Sequence, residues 1–98
     1  MRERVLNIVL EQCKDFGKEE QISAFLNPSI DTKIFHSDGY LDSLGLVRFI
    51  SELEERIDNE LHKDIIIADE KAMSRRSSPF ISVGTLSDYI YELLQNES

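Results

Sequence analysis

The chain has 98 residues, with 19 acidic against 11 basic side chains and a net charge of -8. A chain of this length forms one domain with a small core, so we expect residues 1–98 to fold as a single domain without a deep cleft between lobes. The acidic excess disfavours binding to nucleic acid and to anionic membrane surfaces, and it favours basic protein partners.

The first element predicted is a helix from about Arg2 to Phe16, where apolar residues recur at helical spacing and Gly17 is a plausible stop signal. A long connection follows, from Gly17 to Asp42. It is too apolar for a disordered linker, so we expect an ordered loop packed over the bundle. Its apolar residues are Ile22, Phe25, Leu26, Ile30, Ile34 and Phe35.

The second helix is predicted from about Ser43 to Leu61. Gly39 marks a turn before it, and Asp42 and Ser43 are both good N-cap residues. Ser43 is therefore expected at the helix entrance, exposed to another protein. The buried stripe of this helix would be Leu46, Phe49, Ile50, Leu53, Ile57 and Leu61, and its solvent face Arg48, Ser51, Glu52, Glu54, Glu55 and Asp58.

The last third of the chain is less regular. The run Ile65 to Ile67 could be a strand or an apolar connector, and we favour a connector because no second strand signal exists to pair with it. Residues 69–74 could form a short helix, and Ser82 offers an N-cap for a last helix through about Gln95. The predicted fold class is all-α: a small four-helix bundle of three longer helices and one short one, with a long loop between the first two.

The side chains with catalytic potential do not form a recognisable catalyst. His36 and His62 lie far apart and lack metal-ligand spacing, so no metal site is expected. Ser43 has no nearby base, so it is not predicted to be a nucleophile, and the chain is not predicted to be an enzyme. The single cysteine, Cys13, cannot form an internal disulfide and belongs to a buried stripe. Without an apolar run resembling a signal peptide or membrane span, we expect a monomeric, cytoplasmic chain that is not inserted in a membrane.

One segment resembles a known family. Asp42-Ser43-Leu44, followed by the helix Leu46 to Ile57, is similar to the prosthetic-group site of the acyl carrier protein family. Weaker similarity lies in the first helix at residues 4–12 and in the last at residues 82–90. The resemblance spans nearly the whole chain and implies the four-helix fold of these carriers.

The resemblance also implies a function. A phosphopantetheinyl transferase would attach 4'-phosphopantetheine from coenzyme A to Ser43, and Asp42 would help to present that serine. The arm would carry an acyl group as a thioester in fatty-acid, polyketide or a specialised acyl pathway. Partners would be an acyl- or aminoacyl-loading ligase or transferase and a condensing enzyme. Partner contacts would come from Leu44, Val47, Glu52, Glu54, Glu55 and Asp58, although core packing is equally consistent with Val47.

Two positions depart from the fatty-acid carriers. Gly45 and Arg48 stand where those carriers commonly have acidic residues, which argues against service to general fatty-acid synthesis. The pattern Asp-Ser-x-Gly is also similar to D-alanyl and other aminoacyl carriers loaded by a stand-alone adenylating ligase. A further alternative is an acidic helical interaction module without a prosthetic group, in which Ser43 only caps a helix. The segment 62–82 is longer than in compact carriers.

Overall fold

The described fold consists of helices and irregular connections. The computed structural model describes residues 2–35, 41–67 and 79–96, and the side chain of Ser43 lies outside that description. Helix α1 spans Arg2–Glu20, a 3-10 turn spans Ser23–Phe25, α2 spans Ser43–Leu61, and α3 spans Val83–Asn96. These ranges contain no strand, so the all-α class is confirmed for them. The short helix predicted at 69–74 lies outside the described residues.

Helix α1 ends four residues later than predicted, at Glu20. The prediction that Gly17 stops the helix was wrong, because the residue that turns the backbone is Gln21, at φ 59°. The N–H of Ile22 then donates to the Gly17 carbonyl at 2.9 Å, which is the Schellman pattern of a helix end. Gly17 serves packing instead, since a Cβ there would lie 2.6 Å from the Cβ of Phe25.

Helix α1 is the element on which the other described helices pack, because it contacts α2, α3 and the 3-10 turn. Its end carries an aromatic cluster. The ring of Phe49 meets Phe16 edge to face at 5.3 Å between centroids and Phe25 at 6.3 Å. Such pairs add roughly 0.5–1.5 kcal/mol beyond the area they bury. This cluster fixes the carboxyl end of α1 against α2.

The connection between α1 and α2 is ordered where it is described, as expected. The N–H of Ile34 donates to the carbonyl of Ile81 at 2.7 Å, and the N–H of Val83 donates to the carbonyl of Thr32 at 3.0 Å. These bonds join the connection to the start of α3. They satisfy backbone groups that would otherwise be buried without partners.

Residues 62–67 leave α2 as an apolar connector, which confirms the interpretation favoured over a strand. His62 takes the left-handed conformation, at φ 56°, and its N–H donates to the Asp58 carbonyl at 2.9 Å. Ile65 and Ile67 are buried, whereas Ile66 between them is exposed. Within the part of the chain that the structure describes, no helix is long and apolar enough to cross a membrane.

Burial makes Cys13 a source of pH-dependent stability. The thiol is fully buried, and desolvation raises its pKa to about 12. An unfolded thiol ionises near its ordinary pKa of about 8.5, so unfolding releases a proton between these two values. The stability that depends on the protonated Cys13 thiol is fully present below about pH 8.5, and it is lost as the pH rises toward the folded-state pKa. We expect the wild type to lose stability relative to Cys13→Ala above that pH, by up to about 1.4 kcal/mol per pH unit.

Urea unfolding of both proteins between pH 7 and pH 10.5 measures this effect. Comparison with the alanine variant removes the titration of other groups. A stability difference that stays constant over the whole range would contradict the assignment.

Candidate functional site

The start of α2 is built around the side chain of Asp42. Its backbone is extended, at φ -87° and ψ -175°, and its carboxylate accepts the N–H of Gly45 at 2.7 Å. This is N-cap geometry, and the negative charge also suits the positive end of the helix dipole. Ser43 is consequently the first residue of α2. Its hydroxyl lies outside the described atoms, so the exposure predicted for it stays a prediction.

The backbone of Gly45 lies close to the side chains of Asp42 and Leu41. A Cβ at Gly45 would lie 3.2 Å from Oδ1 of Asp42 and 3.4 Å from Cδ2 of Leu41. A methyl group would therefore press on the carboxylate that caps the helix. The glycine leaves this carboxylate undisturbed, although glycine has a helix propensity about 1 kcal/mol less favourable than that of alanine.

Two apolar side chains near the start of α2 face solvent. Leu44 is 82% exposed and Val47 is 54% exposed. They are three residues apart on a helix and therefore neighbours on its surface. For Val47, where core packing was the alternative, the structure places the side chain outside the core.

The four acidic residues of α2 predicted to contact partners differ in their exposure, and the fifth, Glu60, is exposed. Glu55 and Asp58 are exposed, as predicted. Glu52 and Glu54 are half-buried, which corrects the prediction that all four face solvent. Glu52 accepts a hydrogen bond from the buried Gln12 side chain at 3.1 Å, so it is held to α1.

Glu54 holds the connector that follows α2. Its carboxylate accepts the backbone N–H of Ile67 at 2.5 Å. A carboxylate bound to an N–H makes a stronger hydrogen bond than a neutral acceptor does. The partner role predicted for Glu54 remains untested, but the described contact is internal.

Arg48 forms ion pairs within the protein. Its guanidinium pairs with Glu19 and Glu20 of α1 and also with Glu52, at 3.2 Å. It also lies over the ring of Phe16, 5.2 Å from the centroid. Desolvation lowers the pKa of Arg48, but the hydrogen bond to Glu20 and the charges of Glu19 and Glu20 outweigh it and raise the pKa overall. Arg48 therefore forms ion pairs with carboxylates of both α1 and α2.

A surface pocket of about 510 Å³ lies between the end of α1 and the start of α2. The sequence did not predict it, because its two walls are far apart in the chain. The residues that line it are Phe16, Glu20, Ile22, Leu41, Asp42, Leu44, Gly45 and Arg48. Of the contacts around this pocket, only the pairing of Arg48 with Glu52 could be predicted from sequence, because the two residues are four apart on one helix.

The described residues include no candidate metal site. Within residues 2–35, 41–67 and 79–96, no group of three His, Cys, Asp or Glu side chains could hold a metal ion. His62 follows the last residue of the 19-residue α2 and so lies at the end opposite Ser43, about 28 Å away by helical rise. His36 lies outside the described residues.

Comparison with known proteins identified no relative. No family model, curated protein or solved structure matches this chain.

The contrast between Glu54 and Glu55 gives a direct test of the site geometry. We expect Glu54→Ala to lower the hydrogen-exchange protection of the Ile67 amide, because that amide loses its acceptor. Glu55→Ala, an equivalent change one residue away on the exposed face, should leave that amide unchanged. Amide exchange followed by NMR measures both variants. Equal protection of Ile67 in the two would rule out the assigned contact.

Proposed function

We propose that this protein is a carrier modified at Ser43 by 4'-phosphopantetheine. The observation that carries the proposal is the Asp42 cap, which makes Ser43 the first residue of α2, beside the exposed Leu44. The first residue of a helix has no preceding turn of the same helix to cover it, and the proposal requires that a separate enzyme can reach it. The resemblance of residues 42–57 to acyl carrier proteins adds the chemical role.

The residues present fit such a prosthetic group. A pocket of about 510 Å³ is lined by Asp42, Leu44 and Gly45, the neighbours of the serine in the chain. In the modification, the Ser43 oxygen forms a bond to the β-phosphorus of coenzyme A and the phosphoanhydride breaks. Adenosine bisphosphate leaves, and the serine proton passes to a base of the transferase. Phosphopantetheine supplies a thiol that carries cargo as a thioester.

The part of this chain in the function is presentation and recognition. Asp42 orients the helix start, while Leu44 and Val47 offer apolar contact to partner enzymes. Glu55 and Asp58 supply free carboxylates on the same helix for basic partner surfaces. Partners in this proposal are the phosphopantetheinyl transferase, a loading ligase or transferase and a condensing enzyme. Their encounter with the protein is expected to take place in the cytoplasm.

The identity of the group carried on the arm is inferred from two residues of α2. Arg48 and Gly45 replace acidic positions of fatty-acid carriers, and Arg48 neutralises carboxylates that a general synthase could otherwise contact. We therefore favour a specialised acyl pathway. The alternative cargo is an aminoacyl group such as D-alanyl, loaded by a stand-alone adenylating ligase.

Incubation with coenzyme A and a promiscuous phosphopantetheinyl transferase tests the proposal. We expect intact-protein mass to show the addition of one phosphopantetheine to the wild type and none to Ser43→Ala. Ser77→Ala is the matched control, since it removes another serine hydroxyl and should be modified like the wild type.

A wild type that stays unmodified beside a fully modified control carrier would overturn the proposal. It would favour the acidic helical interaction module instead. The exposed Leu44 and Val47, together with Glu55 and Asp58 further along the same helix, would then be a docking surface that needs no prosthetic group.

The role of the free carboxylates has its own test. Glu55→Lys with Asp58→Lys should lower kcat/KM for loading by the transferase by about 10-fold at low salt, because electrostatic steering accelerates encounter. The difference should shrink at high salt, where charges are screened. Glu3→Lys with Glu11→Lys makes the same change in net charge on exposed positions of α1. If both double variants load equally slowly, net charge decides the rate and the α2 surface has no special role.

A further inference from the structure

We propose that the pocket between α1 and α2 binds the pantoyl unit of the phosphopantetheine arm, an inference that rests on the proposed function. The pantoyl unit is the part nearest the phosphate and carries two methyl groups on one carbon. Bound there, the first portion of the arm lies against the protein while its thiol end stays free for partner enzymes.

Position is the first argument. The pocket is lined by Asp42, Leu44 and Gly45, which flank the attachment residue on both sides in sequence. A group joined to Ser43 therefore starts from a residue whose chain neighbours line this pocket. The volume, about 510 Å³, lies in the range of small-molecule sites.

The lining chemistry is the second argument. The pocket presents the half-buried apolar side chains of Ile22 and Leu41, which suit the paired methyl groups, and it is also lined by Phe16, which is only 2% exposed. Glu20 and Arg48 supply polar groups beside them, which suit the hydroxyl and amide that follow the methyl groups in pantetheine. A wholly apolar or wholly charged pocket would fit this unit less well.

The third argument concerns Arg48, which could otherwise attract the phosphate of the arm. Its pairs with Glu19, Glu20 and Glu52 surround the guanidinium with negative charge. A phosphate would have to displace these carboxylates, so Arg48 acts as a fixed wall of the pocket. The bound state therefore depends on apolar contacts and should persist at high salt.

A weak contact is sufficient here because the arm is tethered. A short flexible tether holds its end at an effective concentration on the order of millimolar. The pocket can then be occupied in the free carrier and vacated when a partner enzyme draws the arm into its own site.

The test loads Ser43 from coenzyme A labelled with ¹³C in the pantoyl methyl groups and records NOEs from those methyls. We expect cross-peaks to the Phe16 ring and to the Ile22 methyls. Both residues are remote from Ser43 in sequence, so attachment alone does not bring the arm to them. We expect these cross-peaks to remain in 0.5 M salt, about the level at which exposed charges are screened beyond a few ångströms.

Matched variants sharpen the test. Ile22→Ala removes part of the apolar wall and should eliminate or strongly weaken the Phe16 cross-peaks. Leu26→Ala truncates an exposed leucine of the same connection, outside the pocket, and should leave them unchanged. The wild-type spectrum decides the question even if Ile22→Ala fails to fold.

The outcomes separate the two proposals. Failure to load, seen by intact mass, overturns the proposed function and the pocket assignment with it. A fully loaded protein without NOEs to Phe16 or Ile22 overturns the pocket assignment alone. Cross-peaks that vanish in salt would assign the contact to the phosphate and Arg48, and would also overturn it.

Discussion

The burial of one face of α1 supports every other part of the described structure. Its buried stripe, which includes Val9 and Cys13, contacts both α2 and α3. At the carboxyl end of the stripe, Phe16 packs edge to face on Phe49 and also lines the pocket beside Ser43. Because isolated helices of this length are marginal in water, this packing stabilises the helices and sets where Ser43, the proposed attachment residue, lies in the fold.

The negative charge of the chain is distributed unevenly over α2. Arg48 and Gln12 hold Glu52, and the Ile67 amide holds Glu54, whereas Glu55, Asp58 and Glu60 are exposed and make no ion pair with another described residue. Helix α2 therefore has fewer exposed, unpaired carboxylates among the described residues than its composition suggests. These exposed carboxylates lie on the helix that also exposes Leu44 and Val47, a combination of charge and apolar area that would suit the transient partners proposed above.

Much of α2 could be predicted from sequence, because an Asp cap and a clean apolar period coincide in one segment. The end of α1 could not. Gly17 is a plausible stop by local rules, and only the close approach of Phe25 shows why a glycine lies inside the helix. The solvent face of α2 was likewise predicted too broadly, since periodicity cannot show that Ile67 returns to Glu54.

The sequence by itself determined the all-α class, the start and length of α2 and the choice of Ser43 as the candidate site, because these follow from spacing within short segments. Tertiary structure alone decided which carboxylates stay free, what Arg48 binds and that a pocket lies beside the serine. Those features join α1, the connection and α2 across many residues. Their physical cause is the packing of Phe16, Phe25 and Phe49, a contact among distant residues that no local pattern specifies.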